Sequence, residues 1–313
     1  MKKIFLKSPT GGIFVALVFV CLLFSGLTSK FFTPMNLSVI LNQVSVNAIL
    51  AFGVTFVIIS GGIDLSLGSL LAVCGVVVAL LSQQGEFPLA FAFLLTLVVG
   101  VLMGAFNGFV VVLTKVPPFI VTLGTMTIGR GLALLLSNGR PISDLNESLN
   151  VLGNGTVGGI PIPILFLIGS FIICQIILTK TVFGRYVKAI GGNEMAAFVS
   201  GVRVNRIKIY VYMLSGFFAA LAGILLTARI NTGQPNAGLG FELDAIAAVI
   251  IGGTSTRGGK GTITGTLLGV LFIGVINNGL DLINVSAYWQ QVIMGGIIIL
   301  AVVLDLVYQK LKK

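Results

Sequence analysis

The chain has 313 residues, 56% hydrophobic and only 9% charged, with a mean hydropathy of +1.10. A soluble domain carries about a quarter charged residues, so a soluble globular fold is excluded. The net charge of +10 would turn a soluble protein toward nucleic acid, but these cations sit in short loops between apolar runs, where they set membrane orientation, and no nucleic-acid partner is expected. Cys21, Cys74 and Cys174 lie within apolar runs, which argues against disulfides or zinc. Histidine, the commonest general base, proton shuttle and metal ligand, is absent.

The opening MKKIFLK and the apolar run behind it resemble a signal peptide, but the residues before Cys21 are bulky and many spans follow. We read an uncleaved first helix with its N-terminus inside. Runs able to cross roughly 30 Å of hydrocarbon, about 20 residues each, lie near 12–28, 37–59, 66–82, 88–114, 119–136, 162–179, 209–228, 262–280 and 289–307, with a shorter one at 242–252. The expectation is an all-α polytopic membrane bundle over residues 1–313 as a single domain, with about ten spans, interrupted helices and both termini cytoplasmic. Charge tests the orientation. Lys2, Lys3, Lys7, Lys115, the cations of residues 180–208, Arg257, Lys260, Lys310, Lys312 and Lys313 fall inside, against Lys30, Arg140 and Arg229 outside, with Arg130 in a span.

In chain order, the first interruption is Gly61-Gly62-Ile63-Asp64-Leu65-Ser66. Asp64 or Ser66 can cap the following helix there, or Asp64 can meet substrate or an ion. Gly100, Gly104 and Gly108 recur every four residues, as do Gly261, Gly265 and Gly269, so each set offers one face for close helix contact. Arg130 either lines the bundle interior or snorkels outward. Residues 137–163, rich in Gly, Pro and Asn with Asp144 and Glu147, form the longest external connection: an ordinary connector or a contact for an extracellular partner.

Residues 180–208 are the one long polar interval, a cytoplasmic loop with Lys180, Arg185, Lys188, Arg203, Arg206 and Lys208 against a lone acid, Glu194. Gly191 and Gly192 are expected to break the chain, Asn193 to act as N-cap, and Gly201 to close a short helix over 194–200. Met195, Phe198 and Val199 then share one apolar face. Such a helix is marginal alone. It either lies on its own protein or on lipid headgroups, or is a plug for a groove on a cytoplasmic partner. Glu242 and Asp244 suit the N-terminus of the short run at 242–252. Residues 56–77 and 248–271 share a pattern of apolar run, Gly pair, polar turn and small-residue helix, and paired interruptions of this kind point to a transport pathway.

No catalytic constellation emerges. The string GGTSTRGGKGT at 252–262 misses the phosphate-binding loop at two positions, with Thr254 where glycine is needed and Gly261 where Ser or Thr is needed. Without histidine there is no Ser/His/Asp set or Cys/His metal cluster. Asn42, Gln43, Asn47, Asn107, Thr122, Thr125, Asn277 and Asn278 place uncharged donors and acceptors in spans. They either line a route for a neutral, hydroxyl-rich solute or bond helix to helix.

Four blocks together resemble the permease family of bacterial sugar ABC importers. They are SVNAILAFGVTFVIISGGIDLSLGSLLA (45–72), GRYVKAIGGNEMAAFVSGVRVNRIKI (184–209), GFELDAIAAVIIGGTSTRGGKGTITGTLLGVL (240–271) and NNGLDLINVSAYWQ (277–290). The resemblance implies a bacterial cell-membrane subunit that forms a pore with a second copy. A cytoplasmic ATPase subunit, holding ATP and Mg, would bind inside, and an extracellular or periplasmic sugar-binding protein would dock outside. The chain itself would bind no cofactor and break no bond. Ribose leads as cargo. Coupling to the ATPase would fall to Gly191, Gly192, Asn193, Glu194, Met195, Ala196, Ala197, Phe198 and Gly201, although the family's E-A-A-x-x-x-G begins here at Met195, with the acid one place early. Asn47, Asp64, Ser66, Asn107, Thr125, Asn277 and Asn278 are the candidates for the path. An ion-coupled carrier would need titratable groups deep in the bundle, and Asp64 is the plausible one.

Overall fold

The computed structural model describes residues 9–83 and 87–311. Lys2, Lys3, Lys7, Lys312 and Lys313 of the orientation argument lie outside the described residues. The helices are α1 (Pro9–Leu27), α2 (Pro34–Ile59), α3 (Leu67–Ser82), α4 (Leu89–Thr114), α5 (Pro118–Leu136), α6 (Glu147–Asn154), α7 (Ile162–Lys180), α8 (Val182–Gly192), α9 (Glu194–Val199), α10 (Val204–Ile230), α11 (Phe241–Ile251), α12 (Ile263–Leu282) and α13 (Ala287–Leu311). Prolines at the first turns of α2, α5 and α7 fix the entry angle where no backbone donor is needed.

Each apolar run of the sequence lies in a helix. Among the described residues, six (α2, α4, α5, α7, α10 and α12) are long and apolar enough to cross a membrane. Their burial separates centre from rim: 72% of the span window is buried in α10, 67% in α12 and 61% in α2, against 22% in α5 and α7. The rim helix α4 turns Leu94, Leu102, Phe106 and Leu113 outward, a surface suited to hydrocarbon rather than water. Its other face packs on α10. Side chains at Gly104 or Gly108 would strike the backbone of Tyr212 or Ile209, so the glycine stripe lets two helix backbones meet. Gly265 and Gly269 seat α12 against the backbone of α11 in the same way, whereas Gly261 precedes α12 and is not part of its face.

The connection at residues 137–163 carries secondary structure of its own. It holds α6, capped by the Asn146 side chain on the Ser148 N–H, and a hairpin pairing β1 (Thr156–Val157) with β2 (Ile160–Pro161). Asn154 Nδ2 donates to the carbonyls of Ala228 and Arg229, which pins the segment to the end of α10.

The two interruptions close alike. After α2, the Gly61 N–H bonds the Ile58 carbonyl and the Gly62 N–H the Val57 carbonyl. After α11, Gly253 and Thr254 bond Ile250 and Val249 in the same way. Both are Schellman motifs, with Gly61 and Gly253 at the positive φ that glycine tolerates. The second interruption, residues 252–262, is four residues longer than the first, residues 60–66, and this extra length reaches back over the first.

Candidate functional site

The short helix of the polar interval forms where expected. The Asn193 side chain accepts the Ala196 N–H at 2.9 Å, Gly201 has φ +85°, and α9 ends at Val199 with Ser200 as its C-cap. Its inner side rests on Ala197, 5% exposed, in a small cluster with Ile190, Val202 and Val204. Met195, Phe198 and Val199 are 69%, 64% and 74% exposed, so this face does not lie on its own chain. The helix rests on its own protein through Ala197, with the Met195, Phe198 and Val199 face turned away. Glu194 is bound by Lys208, whose Nζ lies 2.7 Å from both carboxylate oxygens.

Gly191 and Gly192 do not break the chain but form the last residues of α8. The helix continues because these glycines serve contact rather than turning. A Cβ on Gly191 would collide with the Ile59 carbonyl and the Gly259 amide, and one on Gly259 would meet the backbone of Gly192. The Gly259 N–H donates to the Ile59 carbonyl at 2.8 Å, supplying a partner to a carbonyl left open at the end of α2. Three backbones therefore meet without intervening side chains: the end of α2, the end of α8 and the second interruption. α9 begins two residues beyond this junction.

Beside the junction, Asp64 is fully buried. One carboxylate oxygen accepts the Ser66 N–H at 3.0 Å and the Ser66 hydroxyl at 2.6 Å, and the other accepts the Ser215 hydroxyl at 2.8 Å. Asn107 Nδ2 donates to Ser66 Oγ at 2.9 Å, and Thr122 Oγ1 to the Ile63 carbonyl at 3.2 Å. Ser66 is the N-cap of α3 by position, but its own side chain does not cap; Asp64 supplies the acceptor. The interruption is thus held by α4, α5 and α10 together. Arg130 turns inward, giving two hydrogen bonds to the carbonyls of Pro235 and Ala237. Glu242 and Asp244 occupy the first turn of α11.

The other path candidates lie apart from this knot. Asn278 exchanges two amide hydrogen bonds with Asn36, at 2.9 and 2.8 Å, near the opposite end of α2, roughly 35 Å away along that helix. Asn277 beside it and Asn47 on α2 are half-buried, and Thr125 is buried with its hydroxyl on the Val121 carbonyl of its own helix. A crevice of about 460 Å³ between α4, α7 and α10 is lined by Phe93, Leu97, Phe166, Ile173, Phe217 and Leu221. Such a lining suits an alkyl chain, not a hydroxylated solute. Sequence reasoning missed Ser215, Tyr212 and Asn36, polar groups in apolar helices whose neighbours only the fold reveals.

The family described as "Branched-chain amino acid transport system / permease component" matches residues 36–302. The ribose import permease protein of Bacillus subtilis is 46% identical over 296 residues, covering 94% of this chain and 92% of that protein. The Haemophilus influenzae ribose import permease protein is 45% identical, covering 93% and 91%. The D-allose transport system permease protein of Escherichia coli is 41% identical over 300 residues, covering 96% and 92%. No solved structure matches the chain significantly. With membrane-length helices, interruptions held by buried polar groups and full-length likeness to transport permeases, the chain is a multi-pass membrane protein belonging to this family of permease components.

Proposed function

We propose that the chain is the membrane-spanning subunit of an ATP-binding cassette importer for a monosaccharide, with ribose as cargo. The names of the relatives, at 45–46% identity over nearly the whole chain, support the cargo. The observation that carries the mechanism is the exposed face Met195–Phe198–Val199, projecting beside a backbone junction that joins both interrupted segments. Coupling involves Gly191, Gly192, Asn193, Glu194, Met195, Ala196, Ala197, Phe198 and Gly201. The chain crosses the membrane ten times with both ends in the cytoplasm, and a second copy completes the pore.

ATP and Mg are bound by a cytoplasmic ATPase that receives α9 in a groove, and a sugar-binding protein docks outside. ATP binding draws the ATPases together, α9 carries the motion into α8 and α10, and the path opens toward the loaded binding protein. Hydrolysis resets it. The bias arises because the ATPase holds α9 with different affinity in the two states. Asp64, Ser66, Asn107 and Thr125 act at the inner end of the path and Asn277 and Asn278 at the outer, with Asn47 between. Against an ion-coupled carrier stands the enclosure of Asp64, both of whose oxygens already accept protein donors.

Reconstitution in proteoliposomes tests this. Ribose uptake is expected only with chain, ATPase, ATP and loaded binding protein together. Accumulation by the chain alone on a proton or sodium gradient would overturn it.

A further inference from the structure

Resting on the ABC-permease reading above, we propose that Lys208 is a positioning residue that locks the coupling helix α9 to α10, so that the two move as one lever on the Asp64 interruption. α9 has six residues, and Ala197 is its one buried side chain. A helix of this length does not hold its own geometry. A force on Met195, Phe198 and Val199 would rock it about Ala197 unless a second point were fixed. Glu194, at the N-terminal end, is that point: Lys208 Nζ bonds both of its oxygens at 2.7 Å.

Lys208 does more than hold the peg. Lys208, Tyr212 and Ser215 fall at i, i+4 and i+7 on α10, one stripe of a helix that rises about 10 Å over that interval. Tyr212 places its hydroxyl against Gly62, and Ser215 donates to Asp64 at 2.8 Å. The stripe that grips the peg at its lower end therefore grips the first interruption at its upper end. The α8 route, through Gly191, reaches the same interruption from the other side by backbone contact. Two arms leave α9 and converge on residues 59–64, and the ion pair makes the second arm stiff.

The test uses Lys208→Glu and the charge swap Glu194→Lys with Lys208→Glu. In the reconstituted complex, Lys208→Glu is expected to retain the ATPase at the wild-type level and to lower sugar uptake per ATP hydrolysed by about fivefold. In the full chain alone in detergent, the α9 backbone amides are expected to exchange hydrogen about tenfold faster in Lys208→Glu. The swap restores the exchange reading to within about twofold of wild type. The proposal is overturned if Lys208→Glu matches wild type in exchange, if the swap exchanges no more slowly than the single variant, or if Lys208→Glu sheds the ATPase, which would make Lys208 a docking residue. A wild-type complex that does not transport counts against the ABC reading alone, and the exchange comparison then decides the clamp by itself.

Discussion

Asp64 shows how one buried carboxyl group is kept inside a membrane protein. Its desolvation is offset only because the Ser66 N–H, the Ser66 hydroxyl and the Ser215 hydroxyl all point at it. Asp64→Leu leaves those three donors without an acceptor, and we expect a loss of about 3 kcal/mol, read by denaturant unfolding in detergent. Tyr212→Phe gives the opposite expectation. The Tyr212 hydroxyl is buried without a partner among the described residues, so removing it should leave thermal stability unchanged or raise it slightly. A drop of several degrees would mean that the hydroxyl is held in a way this packing does not require. Asp64 itself was legible in the sequence, because an acid between two apolar runs stands out. Ser215 was not, because one hydroxyl in a 27-residue helix carries no signal until its neighbour is known.

Among elements, the α4–α10 contact depends on absent side chains. Gly104→Val drives a side chain into the Tyr212 backbone and should cost about 2 kcal/mol, whereas Gly124→Ala on α5, where nothing lies within 4 Å, should be neutral or slightly stabilising. Equal effects of the two would remove the close-packing account. Phe198→Asp on α9 should abolish ATPase binding in a pull-down while the chain still inserts, since the Phe198 side chain is 64% exposed. Helices and interruptions could be read from hydropathy and Gly pairs because a bilayer enforces both. Gly191 and Gly192 could not, because glycine marks a chain break and a close contact with the same letter. The carbonyl of Ile59 decides between them.

At the scale of the whole molecule, the contacts between interrupted segments gather at one end of the bundle. The end of α2, the end of α8 and residues 258–259 meet backbone to backbone, and α9 stands beside them with its apolar face uncovered. A junction without flexible side chains passes displacement with little loss, and packed interfaces switch between discrete arrangements rather than deforming smoothly. The two ends of α2 each hold a polar set, the Asp64 knot at one end and the Asn36–Asn278 pair at the other. The most direct measurement is site-directed cross-linking from Phe198→Cys in vesicles containing the complete transporter. The account predicts an adduct with the ATPase subunit whose yield changes on adding ATP. Labelling of that cysteine by an impermeant thiol reagent from outside intact cells would contradict it.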